Sequence, residues 1–252
     1  MSLFEFRFYA VASGRMASEL ALVHDMAIAG APDTEGGPPE HEQTLWERYG
    51  VPRPLGSWVT LSGAATPGFL YIMKWRDLGE RDARFPRFWL DRFWRARRAQ
   101  LTDGMTLVDS IENWVMEALP QWESLREQGQ PTESGGVHEL RVQDVLNGSQ
   151  AEAADVLATI DLPALKRRGA KVMGLFEVAI GPGRPRFVIL LAWPDLQTQI
   201  DGWLAFDRDV EVTAQRERER AKHGRRLFST SQQHLLQPVK WNRPRTDFGA
   251  VS

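Results

Sequence analysis

The chain has 252 residues, 42% of them hydrophobic and 25% charged, with a formal net charge of −2 at pH 7. This balance suits a globular protein with a sizeable core and lacks the basic footprint of a nucleic-acid binder. The absence of cysteine excludes disulfides, thiolate nucleophiles and Cys-ligated metals.

No apolar run approaches the roughly 18–20 residues that a membrane span needs. The opening "MSLFEFRFYAV" has neither the basic segment nor the apolar stretch of a secretory leader. A cytoplasmic protein with no membrane partner is therefore expected. Ten tryptophans against three tyrosines hint at cavities lined by rings.

The first predicted element is a strand, because Phe4, Phe6 and Phe8 alternate with Glu5, Arg7 and Tyr9. A helix follows from about Arg15, with Met16, Leu20, Val23 and Ala27 as its apolar stripe and His24 at the stripe's edge. "AGAPDTEGGPPEHEQ", Ala29 to Gln43, reads as an inserted surface loop. "LGSWVTLSG" from Leu55 and "FLYIMKW" from Phe69 read as a hairpin. Phe85, Trp89, Phe93 and Ala96 then recur at helical spacing. The arginines around them, from Arg84 to Arg98, read as a solvated face. "LVDSIENWVMEALP" closes the set.

The set is then written a second time. "FLYIMKWRDL" (Phe69–Leu78) returns as "FVILLAWPDL" (Phe187–Leu196), and "LGSWVTLSG" as "MGLFEVAIG" from Met173. "FEFRFY" matches "HELRVQ" from His138, with Glu5 opposite Glu139 and Arg7 opposite Arg141. "LFSTSQQHLLQP" answers the closing segment, after the charge-laced helix "AQRERERAKHGRR". Each copy reads strand, helix, strand, strand, helix, strand, the ferredoxin-like plan. The expected fold is α+β: two tandem ferredoxin-like (βαββαβ) domains, residues 1–126 and 137–252. A linker at 127–136, "EQGQPTESGG" from Glu127, joins them. Because a sheet with helices on one face leaves its other face bare, the two antiparallel sheets are expected to pack face to face as an intrachain α+β barrel. A homodimer beyond that intrachain pairing stays open.

These residues resemble the NIPSNAP family. Its opening strand reads close to Tyr-Glu-Leu-Arg-x-Tyr; here the chain has Phe4-Glu5-Phe6-Arg7-Phe8-Tyr9 and again His138-Glu139-Leu140-Arg141-Val142. "GSWVT", the Trp-containing third strand and "NWVMEALP" add to the likeness, which covers both halves except the inserted loop, the linker and the last dozen residues. The resemblance implies the dimeric α+β barrel superfamily, alongside cofactor-free monooxygenases, haem-degrading enzymes and aldoxime dehydratases. It also implies a pocket between sheet and helices. It implies no reaction, since NIPSNAP proteins lack an agreed activity. Val142 and Gln143 depart from the pattern where it favours a Tyr, which leaves copy one as the better place for a polar site.

His24 is the candidate catalytic base, a role for which an imidazole is suited near neutral pH; a half-exposed histidine bonded to a neighbour is the bland alternative. Arg7 and Tyr9 are candidates for binding a carboxylate or other polar group, against a structural Glu5–Arg7 pair that simply recurs. Trp58, Tyr71 and Trp75, with Trp89 above, are candidates for lining a pocket for a flat or aromatic ligand, against ordinary core packing. Glu40, His41 and Glu42 lack converging spacing and no H-E-x-x-H pair occurs, so no metal and no cofactor is expected. "GPGRPR" from Gly181 reads as a hairpin turn and not as a phosphate loop. The leading expectation is a cofactor-independent monooxygenase, lyase or isomerase. It would act on a small apolar or aromatic molecule in the first domain, with the Ala29–Gln43 loop at the pocket mouth. A non-enzymatic binding or scaffold protein is the alternative, and haem binding, by analogy with the superfamily, is a third.

Overall fold

The computed structural model of the chain describes residues 2–27, 30–32, 39–63, 66–125 and 136–242. The fold is mixed α+β with antiparallel strands, and the chain divides into two compact units. Unit 1 comprises Met1–Thr60, Ala65–Asn113 and Val239–Arg243. Unit 2 comprises Leu61–Ala64, Trp114–Pro238 and Pro244–Ser252.

Unit 1 begins with β1 (Leu3–Val11) and α1 (Met16–Ala27), followed by β2 (Gly30–Pro32), β3 (Pro39–Thr44) and α2 (Leu45–Arg48). The hairpin β4 (Gly56–Ser62) and β5 (Gly68–Trp75) comes next, then α3 (Leu78–Phe88), α4 (Arg92–Thr102) and the start of β6 (Val108–Ala118). β5 lies between β1 and β4, with Arg7 opposite Tyr71, Tyr9 opposite Phe69 and Trp58 opposite Leu70. Residues directly opposite one another share a face of the sheet. Glu5, Arg7 and Tyr9 therefore stand with Tyr71, Met73 and Trp75, beneath the helices and in the same core as Leu22, Trp46, Phe85 and Phe88. Phe4 and Phe6, on the opposite face, are buried as well. The strand thus buries its charged side along with its apolar one.

Three expectations are corrected here. The Ala29–Gln43 segment is not loop throughout: Gly30–Pro32 and Pro39–Thr44 pair as a two-stranded antiparallel sheet, with Glu40, His41 and Glu42 in β3. Residues 28–29 and 33–38 lie outside the described residues, as does most of the 127–136 linker. The helix over Phe85–Ala96 is two helices. Asp91 accepts hydrogen bonds from the backbone of Phe93 and Trp94, and this starts α4 afresh where the apolar spacing suggested continuity. The buried face of α1 is Glu19, Leu22, Val23, Met26 and Ala27, rotated from the expected stripe so that Met16 and Leu20 are only partly buried.

Unit 2 follows with α5 (Trp122–Leu125), β7 (Val137–Val145), α6 (Gln150–Val156), a π-helical turn (Leu157–Asp161) and α7 (Leu162–Lys166). It continues with β8 (Lys171–Ile180), β9 (Arg186–Trp193), α8 (Leu196–Phe206), α9 (Val210–His223) and β10 (Phe228–Pro238). The strand order is β10-β7-β9-β8, with Val115–Ala118 of β6 added beside β8. β9 is buried at every residue, which is why its sequence is a continuous apolar run and does not alternate.

The repeated Trp-x-Asp-Leu now has a physical meaning. Trp75 and Trp193 end a buried strand; Asp77 and Asp195 then cap α3 and α8, their carboxylates accepting from the backbone of Glu80 and Thr198. In unit 2 the helix α8 meets the sheet through Gly202, where a Cβ would stand 2.6 Å from the Trp193 ring. Gly202→Ala should therefore lower stability by about 1–3 kcal/mol from overpacking, although alanine favours helix by about 0.5–1 kcal/mol. A urea-denaturation midpoint equal to that of the parent chain would show that Trp193 can move aside freely.

Candidate functional site

The alternation of β1 places Glu5, Arg7 and Tyr9 in a row under the helices of unit 1. Glu5 is 1% exposed and its carboxylate is ringed by donors. Arg7 Nη1 donates to it at 2.8 Å, Trp75 Nε1 at 3.0 Å, and Arg81 Nη2 and Nε at 2.9 and 3.1 Å. Burial works to raise this carboxyl group's pKa. The hydrogen bond and charge of Arg81, together with the charge of Arg7, outweigh it and hold the group below its usual range.

Arg7 turns its Nε the other way and donates to the Tyr9 hydroxyl at 3.0 Å; Tyr9 and Tyr71 share a hydroxyl–hydroxyl bond of 2.7 Å. Burial opposes a charge on Arg7, yet the surrounding Tyr71, Tyr9 and Glu5 groups raise its pKa, and it remains a cation with its guanidinium 4.7 Å over the Phe85 ring. Burial also raises the pKa of both tyrosines, so both are neutral donors at neutral pH. The two hydroxyls carry two hydrogens and spend one on each other. One hydrogen is left for a third group.

A cavity of about 340 Å³ lies over this cluster. Arg7, Tyr9 and Tyr71 line it from the sheet, and Trp46, Phe88 and Trp94 supply rings above. The Trp46 indole N–H has no hydrogen-bond partner among the described residues. Glu19 reaches the same cavity from α1. It is buried and its carboxyl group makes no hydrogen bond to another described residue; burial, only partly offset by Arg98, pushes that carboxyl up to about 7. Its charge is among the influences that raise the Tyr9 pKa. A carboxyl group poised near neutrality thus faces a hydroxyl pair backed by a guanidinium.

Of the expected site residues, the structure brings Arg7, Tyr9 and Tyr71 together on the cavity. It does not bring His24, Trp58 or Trp75 to the lining. His24 is at the partly exposed end of α1, its Nδ1 3.3 Å from the Asp25 carboxylate and its ring edge-on to Trp241. Trp58 pairs with Leu70 and is on the sheet face opposite Tyr71. Trp75 stands behind the cavity, bonded to Glu5 and packed edge-on to Phe85. Glu19 was missed, although the sequence carries its signal: an acid whose i+3, i+4 and i+7 neighbours are Leu22, Val23 and Met26.

Unit 2 repeats the frame without the tyrosines. Glu139 accepts from Arg141 Nη1 at 3.1 Å and Trp193 Nε1 at 3.0 Å, and Gln199 takes the place of Arg81 at 3.2 Å. Trp203 and Gln233 complete the ring of donors at 2.8 Å each. Among the described residues no group of three acidic or histidine side chains is placed to hold a metal, and no helix is long and apolar enough to cross a membrane.

No family model matches the sequence, and no curated protein matches it. Solved structures do. A Fusobacterium nucleatum protein proposed to be a monooxygenase is 12% identical, covers 95% of this chain and 93% of its own, and superposes with a TM-score of 0.55. An anthrone oxidase-like protein is 15% identical over 94% of this chain and 91% of its own, with a TM-score of 0.51. The fold is shared with these proteins. Neighbours also include several NIPSNAP family proteins, among them one from Agrobacterium tumefaciens, 20% identical over 48% of this chain and 95% of its own, with a TM-score of 0.34.

The Glu5 frame makes a stability prediction. Glu5→Gln keeps the shape but removes the charge that balances Arg7 and Arg81, and is expected to cost about 3–5 kcal/mol at pH 7. A carboxyl group with a lowered pKa contributes stability above its unfolded value and loses it as pH falls through the folded one. The deficit of the variant should therefore shrink in acid, and urea denaturation at both pH values measures it.

Proposed function

We propose that unit 1 is a cofactor-independent enzyme that abstracts a proton from a small aromatic or apolar carbonyl or phenolic compound. The observation that carries this reading is the buried Glu19 carboxyl facing the Tyr9–Tyr71 pair across a ring-lined cavity. Ionised Glu19 takes the proton, and the electron pair left on the substrate moves onto its oxygen. That oxygen receives the spare tyrosine hydrogen, with the Arg7 cation behind the hydroxyls to stabilise the developing charge. The rings of Trp46, Phe88 and Trp94 accept a flat body and exclude water.

The resulting anion has two outcomes. Neutral Glu19 returns the proton at another carbon, giving isomerisation, or the anion passes one electron to dioxygen and the two radicals join in a C–O bond; the peroxide takes the proton back from Glu19, and its O–O bond breaks with loss of water as a new C=O forms, giving cofactor-free oxygenation with dioxygen as the oxidant. The names of the Fusobacterium nucleatum protein and the anthrone oxidase-like protein favour oxygenation. The paired Trp–Glu–Arg frames and paired aspartate caps support a tandem ferredoxin-like duplication, residues 1–126 and 137–252 about the 127–136 linker.

The test uses aromatic cyclic ketones, anthrone among them, and phenols, with product analysis and oxygen uptake. The rate should rise with pH through about 7 as Glu19 ionises. Glu19→Gln should lower kcat by roughly 10²–10⁴ and abolish that limb. The folded pKa lies above the ordinary 4.5, so the stability supplied by neutral Glu19 is complete below 4.5 and lost as pH rises through 7. Above pH 7 the glutamine variant should be the more stable protein by on the order of 2–3 kcal/mol. Binding without turnover, or a variant with full activity, would refute the assignment.

A further inference from the structure

Unit 2 holds a larger cavity, about 630 Å³, between its sheet and α7, α8 and α9. The tyrosine pair and the Glu19 carboxyl of unit 1 have no counterparts at the matching positions there. Gln143 stands where Tyr9 does, Ile189 where Tyr71 does, and Ala153 where Glu19 does. What lines it instead is a set of polar groups that the protein itself leaves unsatisfied.

Arg141 gives Nη1 to Glu139 and lies 3.7 Å over the centre of the Trp203 ring, so its orientation is fixed; its Nε, which in Arg7 serves Tyr9, is buried without a partner. Two residues along the same strand face, Gln143 Oε1 is a buried acceptor with no donor. Asp161, 3% exposed, accepts from Arg216 Nη2 on Oδ2 and leaves Oδ1 unpartnered. At the rim, Arg220 and Arg226 are exposed and make no hydrogen bond or salt bridge with any described residue. A buried polar group without a partner costs about 1–3 kcal/mol, so three around one cavity point to a ligand that supplies their partners.

The chemistry of that ligand follows from the groups. A buried guanidinium N–H and two exposed rim arginines, of which Arg226 also acts through its charge on Asp161, call for an anion of carboxylate type. Each orphan acceptor calls for a donor of its own, and Gln143 Oε1, two residues along the strand from Arg141, calls for a hydroxyl close to that anion. Leucine and phenylalanine side chains on the remaining walls call for an apolar body, and the volume fits a molecule of drug size. We propose that the cavity of unit 2 is a binding site, without catalysis of its own, for a small hydroxylated organic acid with an apolar body. This site is independent of the reaction proposed for unit 1.

The experiment is calorimetric titration of the full chain with β-hydroxydecanoate, decanoate, decanol and inorganic phosphate. β-Hydroxydecanoate should bind most tightly, decanoate about tenfold more weakly for want of the hydroxyl, and decanol and inorganic phosphate more weakly still. The double change Arg220→Gln and Arg226→Gln, both exposed and outside the core, should weaken decanoate binding about tenfold or more. Arg98→Gln at the unit 1 cavity should not. Gln143→Leu should remove the preference for the hydroxylated acid. Decanol binding as tightly as decanoate would overturn the proposal, as would phosphate binding where decanoate does not. So would an unchanged affinity in the double variant, a loss in Arg98→Gln instead, or a preference for the hydroxyl that survives Gln143→Leu.

Discussion

A carboxylate cut off from water must be given donors, and the placement of Glu5 and Glu139 at 1% and 0% exposure makes each unit answer that demand. The answer comes from three directions in both: the strand's own arginine two residues on, the tryptophan that ends the neighbouring strand, and a donor from the helix after it. The sheet, the strand end and the helix start are thereby tied at one point. Removing any donor leaves a buried charge short of partners, so the three elements keep their relative positions. The capping aspartates Asp77 and Asp195 fix where that helix begins, which sets the reach of Arg81 and Gln199.

The same frame leaves one atom of freedom, and the two units use it differently. With Nη1 committed to the glutamate, the arginine's Nε faces outward from the pair. In unit 1 it meets Tyr9 and through it Tyr71, becoming the support for two hydroxyls in an aromatic cavity. In unit 2, glutamine and isoleucine stand at those places and Trp203 replaces Phe85, so the guanidinium lies over the indole with Nε unspent. A scaffold interaction repeated in both units and a polar group that differs between them thus belong to one side chain. Recurrence of Glu–Arg in both halves marks the first, and divergence two residues later marks the second.

The position of Glu19 shows why the helix matters as much as the sheet. A carboxyl group on the buried face of α1 would ordinarily be a fault in the packing. Here it opens onto a cavity, and burial, only partly offset by the charge of Arg98, is what brings its proton affinity near neutral pH. The rings around it, set by α2, α3 and α4, keep that environment apolar.

Much of this was legible in the chain. The repeat, the alternation of β1 and the Trp-x-Asp-Leu segments are local patterns, because strand faces and helix caps are decided by residues within a few positions of each other. They suffice to place Arg7 and Tyr9 on one face of their strand. Rotation of α1 was not legible. Two overlapping stripes, one through Met16 and Leu20 and one through Leu22 and Met26, satisfy the same period, and only contact with the sheet selects between them; that selection turns Glu19 inward and His24 outward. The break at Asp91 was equally hidden, since a cap and a mid-helix aspartate look alike until the backbone turns. Trp58 and Tyr71 sit on adjacent strands but on opposite faces, a matter of register that pairing alone decides. Sequence therefore determined which residues have polar or apolar work to do, because that is chemistry carried by each side chain. The tertiary structure decided which of them share a cavity, because that depends on how surfaces far apart in the chain fit together.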